Sequence, residues 1–427
     1  MKKPTSLSAI ERQRSIFTKG MAGILPKVPA EPTQLALKAK DYMSKQAYAY
    51  IAGGAGLEET VATNRSDFRQ WQIVPRMLNN VADCDLSVEI LGQRFSSPLL
   101  LSPVGVLEMV HRSADKAVAR ACHATNIPFI VSNQASTSME AIAKEMGDSP
   151  RWFQLYWSSS NDLVASLVQR AEANGYTAIV VTLDTTMLGW RIRDLDLAYL
   201  PFLRGKGIAQ YTSDPVFQKL VDAYQDDGNS PSASIRPQTF LSLFELWSNY
   251  PGGFWRNIGS SRPLKAVRTF ISMYTNPALN WEDLAFLREH TKLPIILKGI
   301  LHEDDAHRAI DYGVDGIIVS NHGGRQVDGA TSTIQALPRI VETVKGQLPI
   351  ILDSGVRSGS DMFKALALGA KAVCIGRPYA YGLAIDGQRG VETVLRNYVA
   401  DFELTMRLSG VKQASAIHRS MLKAVNK

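Results

Sequence analysis

Short hydrophobic runs recur along the chain and divide most of it into similar units. Eight runs occur, at residues 98–103, 127–131, 152–156, 178–184, 294–298, 316–320, 349–353 and 372–376. Most begin about 20 to 35 residues after the one before, which leaves room for one helix and two loops. Continuously apolar strands are expected where both faces of a parallel sheet are buried. The pattern therefore predicts eight strand–helix units.

Eight such units predict an α/β fold of the (β/α)8 TIM barrel type rather than an open doubly wound sheet. One gap breaks the rhythm, because more than a hundred residues separate the fourth and fifth runs. Within it, residues 201–275 are rich in Ser, Pro, Gly, Asn and aromatic residues. We interpret this insertion as a lid or an interaction loop; a disordered insertion without function is the alternative.

The region before the first run is predicted to be a helical extension of the barrel. Residues 33–70 have a helical spacing of apolar positions, interrupted at 50–56, where three glycines fall within four residues. Tyr50 stands at the edge of this turn, where a packed aromatic is the alternative to a functional one. We expect a single domain at residues 33–427, preceded by a basic N-terminal arm at residues 1–32.

The charge of the chain is concentrated in that arm. The net charge is +7, and residues 1–30 hold six basic residues against one acidic residue, which accounts for five of these charges. The rest of the chain shows no basic stripe with interleaved aromatics, so we expect no nucleic-acid partner. The arm is predicted to be solvated; an organelle presequence is the alternative.

The remaining composition favours a globular enzyme in a reducing compartment. The hydrophobic fraction is 45% and the charged fraction 20%, and no apolar run approaches the length of about 18 residues that a membrane span needs. Cys84, Cys122 and Cys374 are odd in number and show no C-x-x-C spacing, which argues against a disulfide scaffold or a zinc site. We expect a cytoplasmic protein without a metal.

Polar or charged residues stand at the ends of the hydrophobic runs. In chain order these are Pro103-Val104-Gly105, Ser132 to Gln134, Gln154 with Tyr156, Thr182 with Asp184, Lys298, Ser320 with His322, Asp353, and Gly376 with Arg377. Barrel enzymes place their active sites at the carboxyl ends of the strands. The side chains together predict one shared polar cavity, although a helix cap explains any single one of them.

The sixth run ends in the sequence Ser-Asn-His-Gly-Gly-Arg-Gln at residues 320–326. His322 and Arg325 suggest an imidazole that acts on the carbon next to a carboxylate held by a guanidinium. Arg191 offers a second guanidinium, and Asp184 could orient the imidazole and stabilise its charged form. A surface histidine in a glycine turn is the alternative.

The last two runs suggest a phosphate site, and the fifth suggests a buried cation. Asp353, Gly355 and Arg357 follow the seventh run, while Gly376 and Arg377 follow the eighth, where barrels often bind phosphate. The sequence has neither a P-loop nor a G-x-G-x-x-G motif there. Lys298 could form a Schiff base, hold a negative charge on a cofactor or reach solvent.

From about residue 33 to 415 the chain resembles the FMN-dependent α-hydroxy-acid oxidising family, which includes glycolate oxidase, lactate oxidase, lactate 2-monooxygenase and mandelate dehydrogenase. The segments 320–326, 353–357 and 376–378 carry the resemblance. It implies an FMN cofactor, a short 2-hydroxy acid and O2 as partners, and a homo-tetramer or homo-octamer.

The resemblance also implies a role for each candidate residue. His322 would be the base, backed by Asp184, with Tyr50, Tyr156, Arg191 and Arg325 binding the substrate and Lys298 facing the N1/O2 edge of the flavin. The flavin ring, ribityl chain and phosphate would be bound by Pro103, Val104, Gly105, Ser132, Gln154, Thr182, Ser320, Asp353, Gly355, Arg357, Gly376 and Arg377.

Two features narrow the resemblance to lactate 2-monooxygenase. The edges of the insertion, at residues 201–205 and 211–217, and the segment 189–195 are most similar to that enzyme. Gly105 stands where many oxidases have alanine beside N5. We therefore expect L-lactate to be converted to acetate, CO2 and water. Gln134 stands where glycolate oxidase has a bulky aromatic, which leaves the size of the substrate open. A simple oxidase, a quinone- or cytochrome-linked dehydrogenase, an aldolase-type barrel using Lys298 and a binding protein without catalysis are the alternatives.

Overall fold

A computed structural model describes residues 8–225 and 237–425 of the chain. Its strands are β1 (Trp71–Ile73), β2 (Val88–Ile90), β3 (Gln93–Phe95), β4 (Leu99–Leu101), β5 (Phe129–Val131), β6 (Arg151–Leu155), β7 (Ile179–Thr182), β8 (Ile295–Ile300), β9 (Gly316–Val319), β10 (Ile350–Leu352), β11 (Ala372–Ile375) and β12 (Leu422–Ala424). Strands β4 to β11 form a closed barrel in chain order, with β11 paired to β4. Every pairing in the barrel is parallel. The predicted TIM barrel is therefore confirmed.

Helices surround the barrel and fill the connections. They are α1 (Ala9–Met21), α2 (Pro32–Lys40), α3 (Lys45–Ala52), α4 (Glu59–Ser66), α5 (Ala114–Thr125), α6 (Met139–Met146), α7 (Asn161–Ala173), α8 (Ile192–Asp196), α9 (Ala209–Thr212), α10 (Pro215–Ala223), α11 (Pro237–Asn249), α12 (Phe254–Asn257), α13 (Arg262–Met273), α14 (Asp283–His290), α15 (Glu303–Asp311), α16 (Thr333–Val344), α17 (Gly359–Ala367) and α18 (Arg377–Leu408). Serine caps fix several starts; for example, Ser358 accepts the Asp361 amide at the start of α17. In the described part of the chain, no helix is long and apolar enough to cross a membrane.

The barrel strands are apolar on both faces because two cores meet on them. Alternate side chains, such as Leu100 and Ile318, fill the barrel interior, while their neighbours pack against the outer helices. The β2–β3 hairpin closes the amino-terminal end of the barrel with Phe95, whose ring meets Trp152 edge to face at 6.1 Å. The carboxyl end is thus left for the functional site.

The segment before the barrel is arranged around its last helix. Within residues 1–32, for which the sequence predicts a solvated basic arm, α1 lies against α18: the Ala9 amide donates to Glu403, and the Arg12 guanidinium donates to Asn397. Further along, α3 carries Tyr50 to the carboxyl end of the barrel. Strand β1, which precedes the barrel, pairs with β12, which follows it, in an antiparallel manner.

The described parts of the insertion fold into helices that pack on the barrel. Five rings form an aromatic cluster at its base: Phe202, Tyr211, Phe217, Phe270 and Tyr274, with neighbouring ring centroids 4.8–5.9 Å apart. The fully buried Asp214 side chain pairs with Arg170 of α7 at 2.9 Å. This insertion is therefore fixed to the barrel at its beginning and built around its own apolar core. Residues 226–236 lie outside the described residues.

Candidate active site

A cavity opens at the carboxyl ends of the barrel strands, and its space, including the part that is open to solvent, is about 970 Å³. Loops after the strands and the last turn of α3 line it, and barrel enzymes build their active sites at this end of the strands. The lining residues predicted from sequence are Tyr50, Pro103, Val104, Gly105, Tyr156, Arg191, Lys298, His322, Arg325, Asp353, Gly355, Arg357, Gly376 and Arg377. One cavity thus brings together groups from distant parts of the chain.

His322 is held at the end of β9 in an unusual backbone conformation. Its φ angle is +58°, a left-handed conformation that is uncommon for residues other than glycine. The Ser320 hydroxyl accepts the His322 amide at 3.0 Å. The following loop presses against α4, because a Cβ atom on Gly324 would lie 2.7 Å from the Val61 amide nitrogen. Glycine is required at that close approach.

The imidazole of His322 lies between Asp184 and the cavity. Its Nδ1 atom is 2.7 Å from Oδ1 of Asp184, and its Nε2 atom is 3.4 Å from the Tyr156 hydroxyl. The Asp184 carboxylate accepts a hydrogen bond from the Nδ1–H group, so the neutral imidazole carries its lone pair on Nε2. Burial lowers the pKa of His322, and this outweighs the opposite effect of Asp184. Burial alone would raise the pKa of Asp184, but the charges of His322 and Lys298 bring it to about 2.

The two predicted guanidinium groups lie at the same side of the cavity. Arg325 donates to the carbonyl oxygens of Tyr50 and Gly53, and its guanidinium stacks on the Tyr50 ring at 5.0 Å. Arg191 donates to the Arg325 carbonyl at 3.3 Å and to Gln326 at 3.1 Å. Burial, followed by the charge of Arg191, lowers the pKa of Arg325 to about 9. Across the described residues, neither arginine is in a salt bridge, which suits the site to an anionic ligand.

Lys298 belongs to a buried polar network at the end of β8. Its Nζ atom donates to Ser320 at 2.9 Å and lies 3.4 Å from Asp353. The hydroxyl groups of Ser320 and Ser102 donate to the two oxygens of that carboxylate at 2.7 and 2.5 Å. Burial alone would lower the pKa of Lys298, but the carboxylates of Asp184 and Asp353 outweigh it and raise the pKa. The ammonium group is therefore charged at neutral pH.

Two further guanidinium groups line the cavity. Arg377 at the start of α18 donates to the carbonyl oxygens of Ile51, Gly323 and Gly53 at 2.8–3.1 Å. Arg357 also lines the cavity and donates to the Val356 carbonyl at 2.8 Å. Two guanidinium groups beside a helix start form a favourable environment for a phosphate.

Four predicted cofactor residues, Ser132, Gln154, Thr182 and Ser320, do not line the cavity in this structure. The Gln154 amide accepts from Ser132 at 3.1 Å and donates to Thr182 at 3.0 Å, and all three residues are buried. Ser320 is also fully buried, in the Lys298 network. These side chains are hydrogen-bonded to one another at the strand ends.

Gly105 lies beside Gln134 rather than beside open space. A Cβ atom on Gly105 would be 3.0 Å from the Cβ atom of Gln134 and 3.1 Å from its carbonyl oxygen. The neighbouring Val106 has φ +58° and donates its amide to the same carbonyl at 2.9 Å. The loops after β4 and β5 are therefore in close contact where they border the cavity.

Several cavity residues were not predicted as functional from the sequence. They are Ser102, Thr185, Leu188, Phe202 and Tyr274. Phe202 and Tyr274 come from the insertion and reach the cavity from the aromatic cluster. The spacing of Val267, Phe270 and Tyr274 predicts a packed helix face, but it contains no signal for what that face packs against.

Comparisons with known proteins identify the family of the chain. The family model for FMN-dependent dehydrogenases matches residues 39–424. The chain belongs to this family. An FMN-dependent alpha-hydroxy acid dehydrogenase of Penicillium citrinum is 40% identical over 94% of this chain and 92% of its own length. An L-lactate oxidase of Lysinibacillus sphaericus is 43% identical over 85% and 84% of the two chains. A crystal structure of mandelate oxidase matches 93% of this chain and 98% of its own, with 31% identity and a TM-score of 0.74.

FMN is accordingly the cofactor of this FMN-dependent dehydrogenase, and the chain oxidises a 2-hydroxy acid. The cavity fits that cofactor, because Arg357 and Arg377 in its lining suit the phosphate of FMN. Lys298 in the same lining suits the negative charge of a reduced flavin ring. His322 and Arg325 also line the cavity, and they suit the substrate.

Proposed function

We propose that the protein oxidises a short L-2-hydroxy acid, L-lactate in the first instance, with O2, and releases acetate, CO2 and water. The balance is one lactic acid and one O2 to one acetic acid, one CO2 and one water. This assignment refines the family activity in two respects: the substrate is small, and the keto acid remains in the site while oxygen reacts.

The substrate carboxylate binds to Arg191 and Arg325. Both guanidinium groups border the cavity within the described residues without a salt-bridge partner, and burial of Arg325 makes a compensating anion favourable. The 2-hydroxyl group then faces Nε2 of His322, near the Tyr156 hydroxyl. Two fixed arginines and a fixed imidazole hold the reacting carbon in one orientation, which favours one enantiomer.

His322 acts as the base. Its neutral imidazole accepts the hydroxyl proton at Nε2, and the ionised Asp184 stabilises the imidazolium that results. Bound FMN supplies the two-electron acceptor for the hydrogen on C2. Lys298, kept cationic by Asp353 and Asp184, offers a positive charge to balance the charge that this transfer creates.

The position of the insertion supports the proposal that the product is retained in the site. Phe202 is 1% exposed and Tyr274 9% exposed; both line the cavity and pack on Phe270. A wall that belongs to an apolar core opens only if that core is disturbed, so escape of the keto acid is slow. Hydrogen peroxide formed in the same enclosure then decarboxylates the 2-keto acid before either leaves.

Oxygen consumption with and without catalase tests the proposal. With L-lactate, a decarboxylating enzyme consumes one O2 per lactate, and catalase leaves this ratio unchanged because no peroxide is released. A simple oxidase is the second candidate, favoured by the identity to the L-lactate oxidase; catalase would then return half of the oxygen. Turnover with a quinone but not with O2 would reject both.

A further inference from the structure

The insertion begins against the two loops that border the cavity after β4 and β5. The Gly207 amide donates to the Glu108 carboxylate at 2.8 Å, and the Ala209 amide donates to the Ala135 carbonyl at 3.2 Å. Gln210, which is fully buried, accepts the Met139 amide at 2.8 Å and donates to the Thr137 carbonyl at 3.1 Å. Residues 207–210 thus follow the loop after β5.

Gly207 permits an unusually close approach at the start of this contact. Its φ angle is +70°, and a Cβ atom there would lie 2.6 Å from Cγ2 of Val106 and 3.1 Å from the Gln134 carbonyl oxygen. A side chain at this position would be strained by its conformation and would push the insertion away from both loops. The insertion therefore rests directly on residues next to Gly105 and on Gln134, which border the cavity.

Glu108 connects the insertion to the barrel through a chain of hydrogen bonds. Its carboxylate accepts from Gly207, and its own amide donates to the Ser136 hydroxyl at 3.1 Å. The Ser136 amide in turn donates to the fully buried Asp115 carboxylate at 2.8 Å, in the first turn of α5. This chain of hydrogen bonds thus joins the insertion, the loops after β4 and β5, and an outer helix.

The same chain of hydrogen bonds fixes the position of Phe202. Phe202 is in the turn just before Gly207: the Gly205 amide donates to the Phe202 carbonyl at 2.9 Å, and the Lys206 amide donates to the Pro201 carbonyl at 3.2 Å. Because this turn is tight, fixing Gly207 also fixes the aromatic wall of the cavity. Glu108 itself does not line the cavity, so it has no direct contact with a substrate there.

We propose that Glu108 is a positioning residue that locks the insertion onto the cavity loops and thereby slows release of the 2-keto acid. The lock is the hydrogen bond that the Gly207 amide donates to the Glu108 carboxylate. Its effect on catalysis rests on the proposed function, in which the product is retained, but the lock itself can be measured without decarboxylation.

The test is the rate at which pyruvate dissociates from the FMN-loaded enzyme, followed by stopped-flow absorbance of the flavin. Glu108→Ala should increase this rate by about tenfold, the factor expected for loss of one hydrogen bond to a charged group. Glu108→Gln should stay within about twofold of the wild type, because an amide oxygen still accepts the Gly207 amide. Asp222→Ala is the matched control: that carboxylate pairs with Arg262 in the same insertion, its side chain is 61% exposed, and its loss should leave the rate unchanged.

Gly207→Ala disturbs the same hydrogen bond at its donor and should also speed the release of pyruvate. This second variant tests the proposal if Glu108→Ala fails to fold. Wild-type rates in both alanine variants would overturn the proposal, as would a Glu108→Gln variant as fast as Glu108→Ala. Rapid pyruvate release from the wild-type enzyme would instead contradict the proposed decarboxylation. In that case, a still higher rate of pyruvate release from Glu108→Ala would support the lock.

Discussion

The Nδ1 atom of His322 lies 2.7 Å from Oδ1 of Asp184, which directs Nε2 into the cavity. This relationship joins residues 138 positions apart in the chain. It makes the imidazole a base with a fixed tautomer, and it places the positive charge of the protonated form against an ionised carboxylate.

Replacement of His322 by alanine should leave FMN binding intact and slow the reduction of the flavin by L-lactate by about 10³-fold, because general base catalysis contributes on this scale. Anaerobic stopped-flow measurement of the flavin absorbance checks this, with the bound FMN content of the variant as its control. Reduction at the wild-type rate would reject His322 as the base.

Arg325→Met should raise the KM for L-lactate by about 10²-fold, since it removes a buried charged donor to the carboxylate. The variant should also lose most of the preference for L-lactate over L-lactamide, in which the carboxylate is replaced by a neutral amide. Arg204→Met, which removes a guanidinium paired with Glu245, is the control. A preference equal to that of the wild type would mean that Arg325 does not bind the carboxylate.

Gly105→Ala should shift the products from acetate towards pyruvate and hydrogen peroxide. The added methyl group meets Gln134 at 3.0 Å and pushes the loop on which Gly207 rests, so the wall of the cavity loosens. Gly316→Ala is a matched control, because an added Cβ atom there approaches no atom more closely than 3.4 Å. An unaltered ratio of acetate to pyruvate in Gly105→Ala would show that this contact does not control product retention.

Asp115 should make the stability of the protein depend on pH. Burial raises the pKa of Asp115 to about 7, above its unfolded value of about 4. The native state therefore binds a proton that the unfolded state releases, and this contribution to stability is present below pH 4 and lost as pH rises to 7. Asp115→Asn has no titrating group at this position. As the pH rises from 4 to 7, the free energy of unfolding of the variant should therefore increase relative to that of the wild type by up to about 4 kcal/mol.

Urea unfolding at several pH values measures this difference. Asp222→Asn is the control, because that side chain is 61% exposed. Parallel curves for the wild type and Asp115→Asn would contradict a raised pKa for Asp115.

The barrel was predictable because its signals are local. Each strand is a short apolar run, and the rule that barrel sites lie at the carboxyl ends of strands predicts that His322, Lys298 and Asp353 share one cavity. The polar residues at the other strand ends were predicted in the same way. Which of them face the cavity was less predictable, because Gln154 and Thr182 satisfy each other's hydrogen bonds instead.

The contribution of the insertion was not predictable in detail. Its apolar residues indicate that parts of it pack, but sequence spacing cannot give the tertiary contact that brings Phe202 and Tyr274 to the cavity. The contact between Gly207 and Glu108 spans 99 positions and depends on the conformations of two separate loops. Long-range contacts of this kind appear only in the folded chain.

The proposed decarboxylation is tested most directly by the products formed from L-lactate labelled with ¹³C at the methyl carbon, measured by NMR under air. Labelled acetate should be the principal product, without accumulation of labelled pyruvate when catalase is present. Quantitative conversion to labelled pyruvate in the presence of catalase would contradict it, because the keto acid would then have left the site before peroxide could act on it.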